Sequence, residues 1–254
     1  MFELKGKTAM VTGGAQGIGK AISSALAGQG AKVAIVDIDN AVAGQTADEI
    51  NRQNATAIAI QADITDPEKV KQAVAGVREQ FGAVDVLVNN AGWDRMMSFV
   101  ETTPDFWDKV IDINYKGVLN CVYAVLPDMI EKNRGKIISI ASDAARVGST
   151  GESVYAGAKG AVISFSKSLA REVARNQITV NVICPGPTDT PLTRQMQAES
   201  GFAQKILSKM DKVIPLGRTG TPGEIAAAVV FLASAEADFI TGQTLSVSGG
   251  LTMS

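Results

Sequence analysis

The feature that most constrains the fold is a regular alternation of short apolar runs with segments of helical spacing. Thr8–Val11, Val33–Val36, Ala57–Ile60, Val84–Val88, Lys136–Ile140 and Thr179–Ile183 are short, rich in β-branched residues and apolar without strict alternation. Such runs suit strands buried on both faces, as in a parallel sheet covered by helices. A further run, Gln243–Val247, precedes Ser248-Gly249-Gly250. Between the runs lie recognisable helix starts. Asp66-Pro67 and Thr103-Pro104 each put a capping side chain before a proline at the first helical position. Thr221-Pro222-Gly223-Glu224 adds the reciprocal glutamate of a capping box. The alternation predicts an α/β fold, a Rossmann-type doubly wound parallel β-sheet of about seven strands with helices on both faces.

No internal repeat, low-complexity tract or Pro/Ser-rich linker divides the 254 residues, so a single domain spanning 1–254 is expected. The least patterned stretch runs from Pro185 to about Thr221 and holds a polar, helix-like segment at Leu192–Met210. A substrate loop or lid at about 186–220 is expected there. The opening residues lack a basic-then-apolar leader, and no apolar stretch approaches the ~18 residues of a membrane span. A cytoplasmic location is therefore expected. The net charge of −2, with Lys and Arg scattered, argues against a nucleic-acid or anionic-membrane partner. Cys121 and Cys184 each sit in an apolar run and read as buried thiols.

The chain contains no histidine. That removes every Ser-His-Asp or Cys-His unit and every two-histidine zinc motif, and no metal site is expected. Acid/base chemistry must come from Tyr, Lys, Asp, Glu or Cys.

Directly after the first run comes Thr12-Gly13-Gly14-Ala15-Gln16-Gly17-Ile18-Gly19, which opens a helix. Glycines there let the backbone turn sharply and approach a pyrophosphate, whose charge is met by the helix N-terminus. The spacing is Gly-x-x-x-Gly-x-Gly rather than the standard dinucleotide fingerprint, and a tight loop alone would also use it. Asp37 ends the second run. An acid there accepts from both adenosine ribose hydroxyls and repels a 2′-phosphate. No Arg or Lys stands at positions 14 to 16 or at 38 to relieve that repulsion, so NAD is the expected cofactor. Asp63, at the end of the third run, suits either the adenine amino group or a helix cap.

Tyr155 and Lys159 are four residues apart, which places them on one face of a helix. A free tyrosine has a pKa of ~10, and each unit of lowering needs ~1.4 kcal/mol of differential interaction with the phenolate. Lys159, with a positive nicotinamide ring, is expected to supply it. Ser142 follows the fifth run, at the carboxyl edge where ligands bind in open α/β sheets. Asn114 falls in a long helix expected over Pro104–Glu131, on an apolar stripe with Val110, Val118, Cys121 and Val125, so it needs buried partners. A structural water or a helix-bending contact would serve as well as a catalytic role.

Over essentially its whole length the chain resembles the short-chain dehydrogenase/reductase family. The matching motifs are Thr12-Gly13-x-x-x-Gly17-x-Gly19, Asn89-Asn90-Ala91-Gly92, Asn114, Ser142, Tyr155-x-x-x-Lys159 and Pro185-Gly186. The resemblance implies that Tyr155 is the acid/base, that Lys159 binds the nicotinamide ribose and tunes Tyr155, and that Ser142 orients the substrate oxygen. It implies that Asn114 holds a water in a proton relay. It implies a cofactor groove of Gly13, Gln16, Gly17, Ile18 and Gly19, with Asp37, Ile38, Asp63 and Ile64 around the adenosine. Asn90, Ala91 and Gly92 continue the groove, and Pro185, Gly186, Thr188 and Thr190 lie at its carboxamide end. Family members are commonly homotetramers that join through the helix containing Tyr155 and through the C-terminal strand.

Trp93-Asp94-Arg95, the stretch Asp143 to Glu152, and Pro185–Leu192 look similar to the hydroxyacyl-CoA dehydrogenases of aromatic degradation, such as 2-hydroxycyclohexanecarboxyl-CoA dehydrogenase. This implies a cyclic or aromatic hydroxyacyl-CoA as substrate, with a free secondary alcohol such as a sugar, polyol or steroid as the alternative. Trp93 and Asp94 are the expected wall of the substrate pocket. Arg146 or Arg194 is the expected partner of a substrate carboxylate or CoA phosphate, unless both are ordinary surface arginines.

Overall fold

The computed structural model describes residues 1–253. Seven strands form one sheet in the order β3-β2-β1-β4-β5-β6-β7, and every neighbouring pair is parallel. In chain order the strands are β1 (Thr8–Thr12), β2 (Lys32–Asp37), β3 (Thr56–Gln61), β4 (Val86–Asn89), β5 (Gly135–Ile140), β6 (Ile178–Pro185) and β7 (Thr244–Val247). The apolar runs thus became strands, with ends moved by one or two residues. The largest change is at Val84-Asp85, which lies ahead of β4. The Asp85 carboxylate is held there by the Thr8 amide at 2.9 Å and by Arg134 at 2.9 Å.

The sheet is covered on both faces, as its continuous apolar strands require. On one face α1 (Gly17–Gly28), α2 (Asn40–Asn51) and α10 (Pro222–Ala233) bury Ile22, Leu26, Ile50, Ile225 and Val229 against Val11, Val33, Ile35 and Val88. On the other, α3 (Pro67–Phe81), α5 (Gly117–Glu131) and α7 (Ser153–Val173) bury Val74, Val77, Val125, Val162 and Leu169 against Met10, Val36, Leu87 and Val180. Neighbours in β1 therefore point to opposite layers, Met10 to one and Val11 to the other. Cys121 and Cys184 are free and buried. Asp66, Thr103 and Thr221 cap their helices as expected.

Two helical expectations change. The stretch Pro104–Glu131 is α4 (Pro104–Ile111), a wide π-turn at Asp112–Lys116, then α5. The stretch Leu192–Met210 is α8 (Pro191–Glu199), α9 (Gly201–Leu207) and a 3₁₀ turn beginning at Met210. The break falls at Ser200, whose extended backbone and side chain cap α9. Among the described residues, no helix is long and apolar enough to cross a membrane. The chain winds outward from β1 to β3, then crosses to β4 and winds the other way. Ligands of such sheets bind at the carboxyl ends beside that reversal.

Candidate active site

A cleft of about 1210 Å³ opens at that reversal, lined from the carboxyl ends of β1, β2, β4, β5 and β6. Its two ends are built differently.

At one end, the glycine turn leads from β1 into α1. Gly13 and Gly17 have φ of +59° and +54°, a region where a side chain is strained. A Cβ on Gly13 would lie 2.8 Å from Ala91 Cα, and one on Gly19 would run into the Gly13 carbonyl and the Asn90 amide. The backbone is thus packed directly on backbone at the N-terminus of α1. Asn90 fixes this packing by donating from Nδ2 to the carbonyls of Thr12 and Gly13 at 3.1 and 2.9 Å. The Thr12 hydroxyl accepts from the amides of Asn90 and Ala91 at 3.1 Å each. Asp37, half-buried at the tip of β2, accepts from the amides of Ala15 (3.1 Å) and Asp39 (3.2 Å). Its carboxylate is therefore fixed beside the glycine turn. Gln16, Ile18, Ile38, Asp63 and Ile64 also line the cleft. Asp63 does not cap a helix: it accepts from the Thr65 amide and hydroxyl at 2.9 and 2.7 Å, while Asp66 caps α3. This cradle fits a dinucleotide: the close approach of bare backbone suits a pyrophosphate, and Asp37 suits ribose hydroxyls.

At the other end, α7 carries Tyr155 and Lys159 on the face toward the cleft, and Ser142 follows β5. Lys159 is buried, donates from Nζ to the Ile140 carbonyl at 2.9 Å, and lies 5.7 Å from the centre of the Tyr155 ring. Burial pushes its ammonium down to about 8, against Cys184 and Asp94, which favour the charge. Tyr155 is pushed well above the usual phenol range by burial, then by the negative charges of Glu152 and Asp94; the Ser142 hydroxyl acts in the opposite direction. The expectation gave the lowering of the phenol to Lys159 together with a positive nicotinamide ring; in the protein alone, burial and the carboxylates dominate.

Asn114 is fully buried in the π-turn and does not line the cleft. Its amide donates to the carbonyls of Trp93 (2.7 Å) and Val110 (2.9 Å) and accepts from the Trp93 amide at 3.3 Å. The polar group on an apolar stripe has thus found protein partners, and it locks the loop after β4 onto the helix. A Cβ on Gly92 would sit 2.9 Å from Asn114 Oδ1 and 3.3 Å from Lys159 Nζ, so the three residues meet at one point.

Pro185, Gly186, Thr188 and Thr190 line the cleft after β6. The Thr188 hydroxyl donates to the Gly186 carbonyl at 2.9 Å, and Thr190 caps α8. Pro191 then lies over Gly17, so this segment covers the glycine turn. Trp93 and Asp94 line the cleft too.

The two arginines do not. Arg146 donates to the Ser246 hydroxyl at 2.6 Å, and Ser246 in turn donates to Asp143. Arg194 is exposed and pairs with Asp189 at 2.8 Å. Among the described residues, the cations lining the cleft are Lys109 and Lys159. Lys109 stands 3.8 Å over the Trp93 ring. Lys109 is a cleft residue that sequence reasoning passed over, and Glu152 is one it named only as the end of the stretch from Asp143. Helical spacing from the capped Thr103-Pro104 start offered a signal for Lys109, and proximity to Tyr155 offered one for Glu152.

Residues 13–252 match the family model described as "Enoyl-(Acyl carrier protein) reductase". The chain belongs to the short-chain dehydrogenase/reductase family. Within that family it is 41% identical to the 3-oxoacyl-[acyl-carrier-protein] reductase FabG of Salmonella typhimurium, over 99% of this chain and 100% of the relative. It is 39% identical to the oxidoreductase UcpA of the same species, over 100% of this chain and 97% of the relative. A short-chain dehydrogenase/reductase fold is also what the crystal structure of gox2181 shares with it: TM-score 0.92 and 34% identity, covering 98% of this chain and 97% of that one. The protein is an oxidoreductase of this family, whose members bind a nicotinamide dinucleotide.

Proposed function

We propose that the protein transfers a hydride between NAD(H) and a secondary alcohol or ketone, with a cyclic or aromatic hydroxyacyl-CoA as the substrate class. The observation that carries the reaction is the placement of Tyr155, Lys159 and Ser142 on one wall of the cleft whose other end is the glycine cradle. When bound, the nicotinamide supplies the hydride or accepts it. Tyr155 gives its proton to the forming alkoxide or takes it from the alcohol, and Ser142 holds the same oxygen. Lys159, held by the Ile140 carbonyl 5.7 Å from the Tyr155 ring centre, sets a positive charge beside the phenol that favours release of that proton. Asn114 positions the loop behind Lys159 and is assigned the relay of protons toward solvent.

Asp37 supports NAD over NADP, because a 2′-phosphate would face a fixed carboxylate. Three features support a CoA thioester. FabG, by its name, acts on an acyl group carried as a thioester. The loops after β4, β5 and β6 resemble those of hydroxyacyl-CoA dehydrogenases. Lys109 offers the cleft a cation suited to phosphate. The free secondary alcohol stands as the second reading, because Arg146 and Arg194 turn away from the cleft. The proposed assembly is a homotetramer, and the exposed apolar side chains of Tyr123, Phe239 and Leu245 give it surfaces to bury.

The test follows NADH absorbance with NAD or NADP and paired cyclic hydroxy acids, each as free acid and as CoA thioester. The expected result is turnover with NAD and a preference of about tenfold or more in kcat/KM for the thioester. Equal rates on the free acids would favour the second reading, and no NADH from any alcohol would overturn the proposal.

A further inference from the structure

Asp94 and Glu152 belong to neither the proton machinery nor the cofactor cradle, yet both line the cleft. They come from different loops, Asp94 from the one after β4 and Glu152 from the one entering α7. The loops are joined by the Met97 amide, which donates to the Gly151 carbonyl at 3.0 Å. The two carboxylates also share a small void behind the cleft wall, lined by Met97, Phe99 and Phe106 among others.

Asp94 is only 4% exposed, and its Oδ2 has no hydrogen-bond partner. A buried carboxylate oxygen left in this way loses the hydration of the unfolded state and regains nothing, so a missing donor is implied. Glu152 is already engaged, accepting from the Ser149 hydroxyl. Among the described residues, no Arg or Lys side chain forms an ion pair with Asp94; the Arg95 backbone and the more distant Lys159 charge favour its ionised form, but the Lys159 ammonium donates to Ile140. Burial pushes Asp94 up to about 7, with Glu152 adding to the effect. Above about pH 7 the carboxylate is an acceptor that awaits a group bringing its own proton.

We infer that Asp94, backed by Glu152, is a specificity site that accepts a hydrogen bond from a second hydroxyl or amino group on the substrate, next to the reacting carbinol. The same pair repels a free carboxylate from that position. This rests on the hydride-transfer reading of the cleft, and it adds what the substrate must carry there. A thioester carbonyl at that position would bring no proton, so this device favours the second reading, a free alcohol that carries a further donor.

The experiment is calorimetric titration of the NADH-loaded protein with cyclohexanol, trans-1,2-cyclohexanediol, trans-2-aminocyclohexanol and 2-hydroxycyclohexanecarboxylate. The diol and the amino alcohol are expected to bind about tenfold tighter than cyclohexanol, and the acid weaker than any of them. In Asp94→Leu the preference for the second donor is expected to fall to within about twofold of parity. Asp94→Asn, a near-isosteric change that guards against a misfolded Leu variant, is expected to raise affinity for the acid. Diol, amino alcohol and mono-ol binding alike, or none of them binding, would overturn the inference. So would a preference that survives in Asp94→Leu. The titration needs no turnover: a preserved preference without NADH formation would sink the hydride-transfer reading instead.

Discussion

The two ends of the cleft solve recognition in opposite ways. The cradle at β1, α1 and β2 is made of backbone, with Thr12, Asn90 and Asp37 each tied to main-chain groups. The end at α7 is made of side chains from loops far apart in sequence, and its ionisable groups are displaced from their ordinary values: Tyr155 and Glu152 upward, Asp94 to about 7, Lys159 to about 8. A backbone cradle is rigid and indifferent to protonation. A side-chain site is tuned by burial, so it can change specificity without disturbing the sheet.

The contrast can be broken most severely at the backbone end. Gly19→Val drives a side chain into the Gly13 carbonyl and the Asn90 amide. NADH affinity, read by fluorescence titration, is expected to fall by at least about 100-fold. Asp37→Ser tests a smaller term, the repulsion of a 2′-phosphate. The ratio of kcat/KM for NAD over NADP is expected to drop by roughly 10- to 100-fold, mainly through the KM for NADP.

The side-chain end is expected to respond to pH instead. The Asp94 pKa is raised on folding from 3.8 to about 7, so the protonated carboxyl favours the folded state. Its stabilisation is complete below the unfolded value and is lost as pH rises through about 7. Asp94→Asn should therefore melt higher than the parent at pH 8, by a few degrees on the order typical of single substitutions, with the gain vanishing toward pH 4. The same variant removes a negative charge that raises Tyr155, so its alcohol oxidation should set in at lower pH. An unchanged melting difference across that range would show that Asp94 does not titrate as its burial requires.

The same contrast decides what could be read from sequence. Gly13, Gly17, Gly19 and Asp37 are local features of β1–α1–β2, and a buried parallel strand announces itself by an unbroken apolar run. Tyr155 and Lys159 were legible because one helical turn joins them. Asp94 and Glu152 were not legible as a pair, since only folding brings their loops together. Arg146 was a candidate phosphate or carboxylate partner, and nothing local in the sequence foretold that Ser246, on β7, would accept from its guanidinium. Burial was equally invisible: the sequence placed Lys159 beside Tyr155, but could not show that desolvation and two carboxylates hold the phenol up. The Asn114 side chain in the π-turn found its partners on Trp93, a residue of another loop.

The central claim is that Tyr155 moves the proton in a hydride transfer. The direct measurement compares Tyr155→Phe with the parent protein, recording NADH binding and NADH formation from the preferred alcohol in the same preparation. The account predicts that NADH binds the variant within about threefold of the parent, while kcat falls by about 1,000-fold. Turnover of the variant within tenfold of the parent, with NADH binding intact, would contradict it.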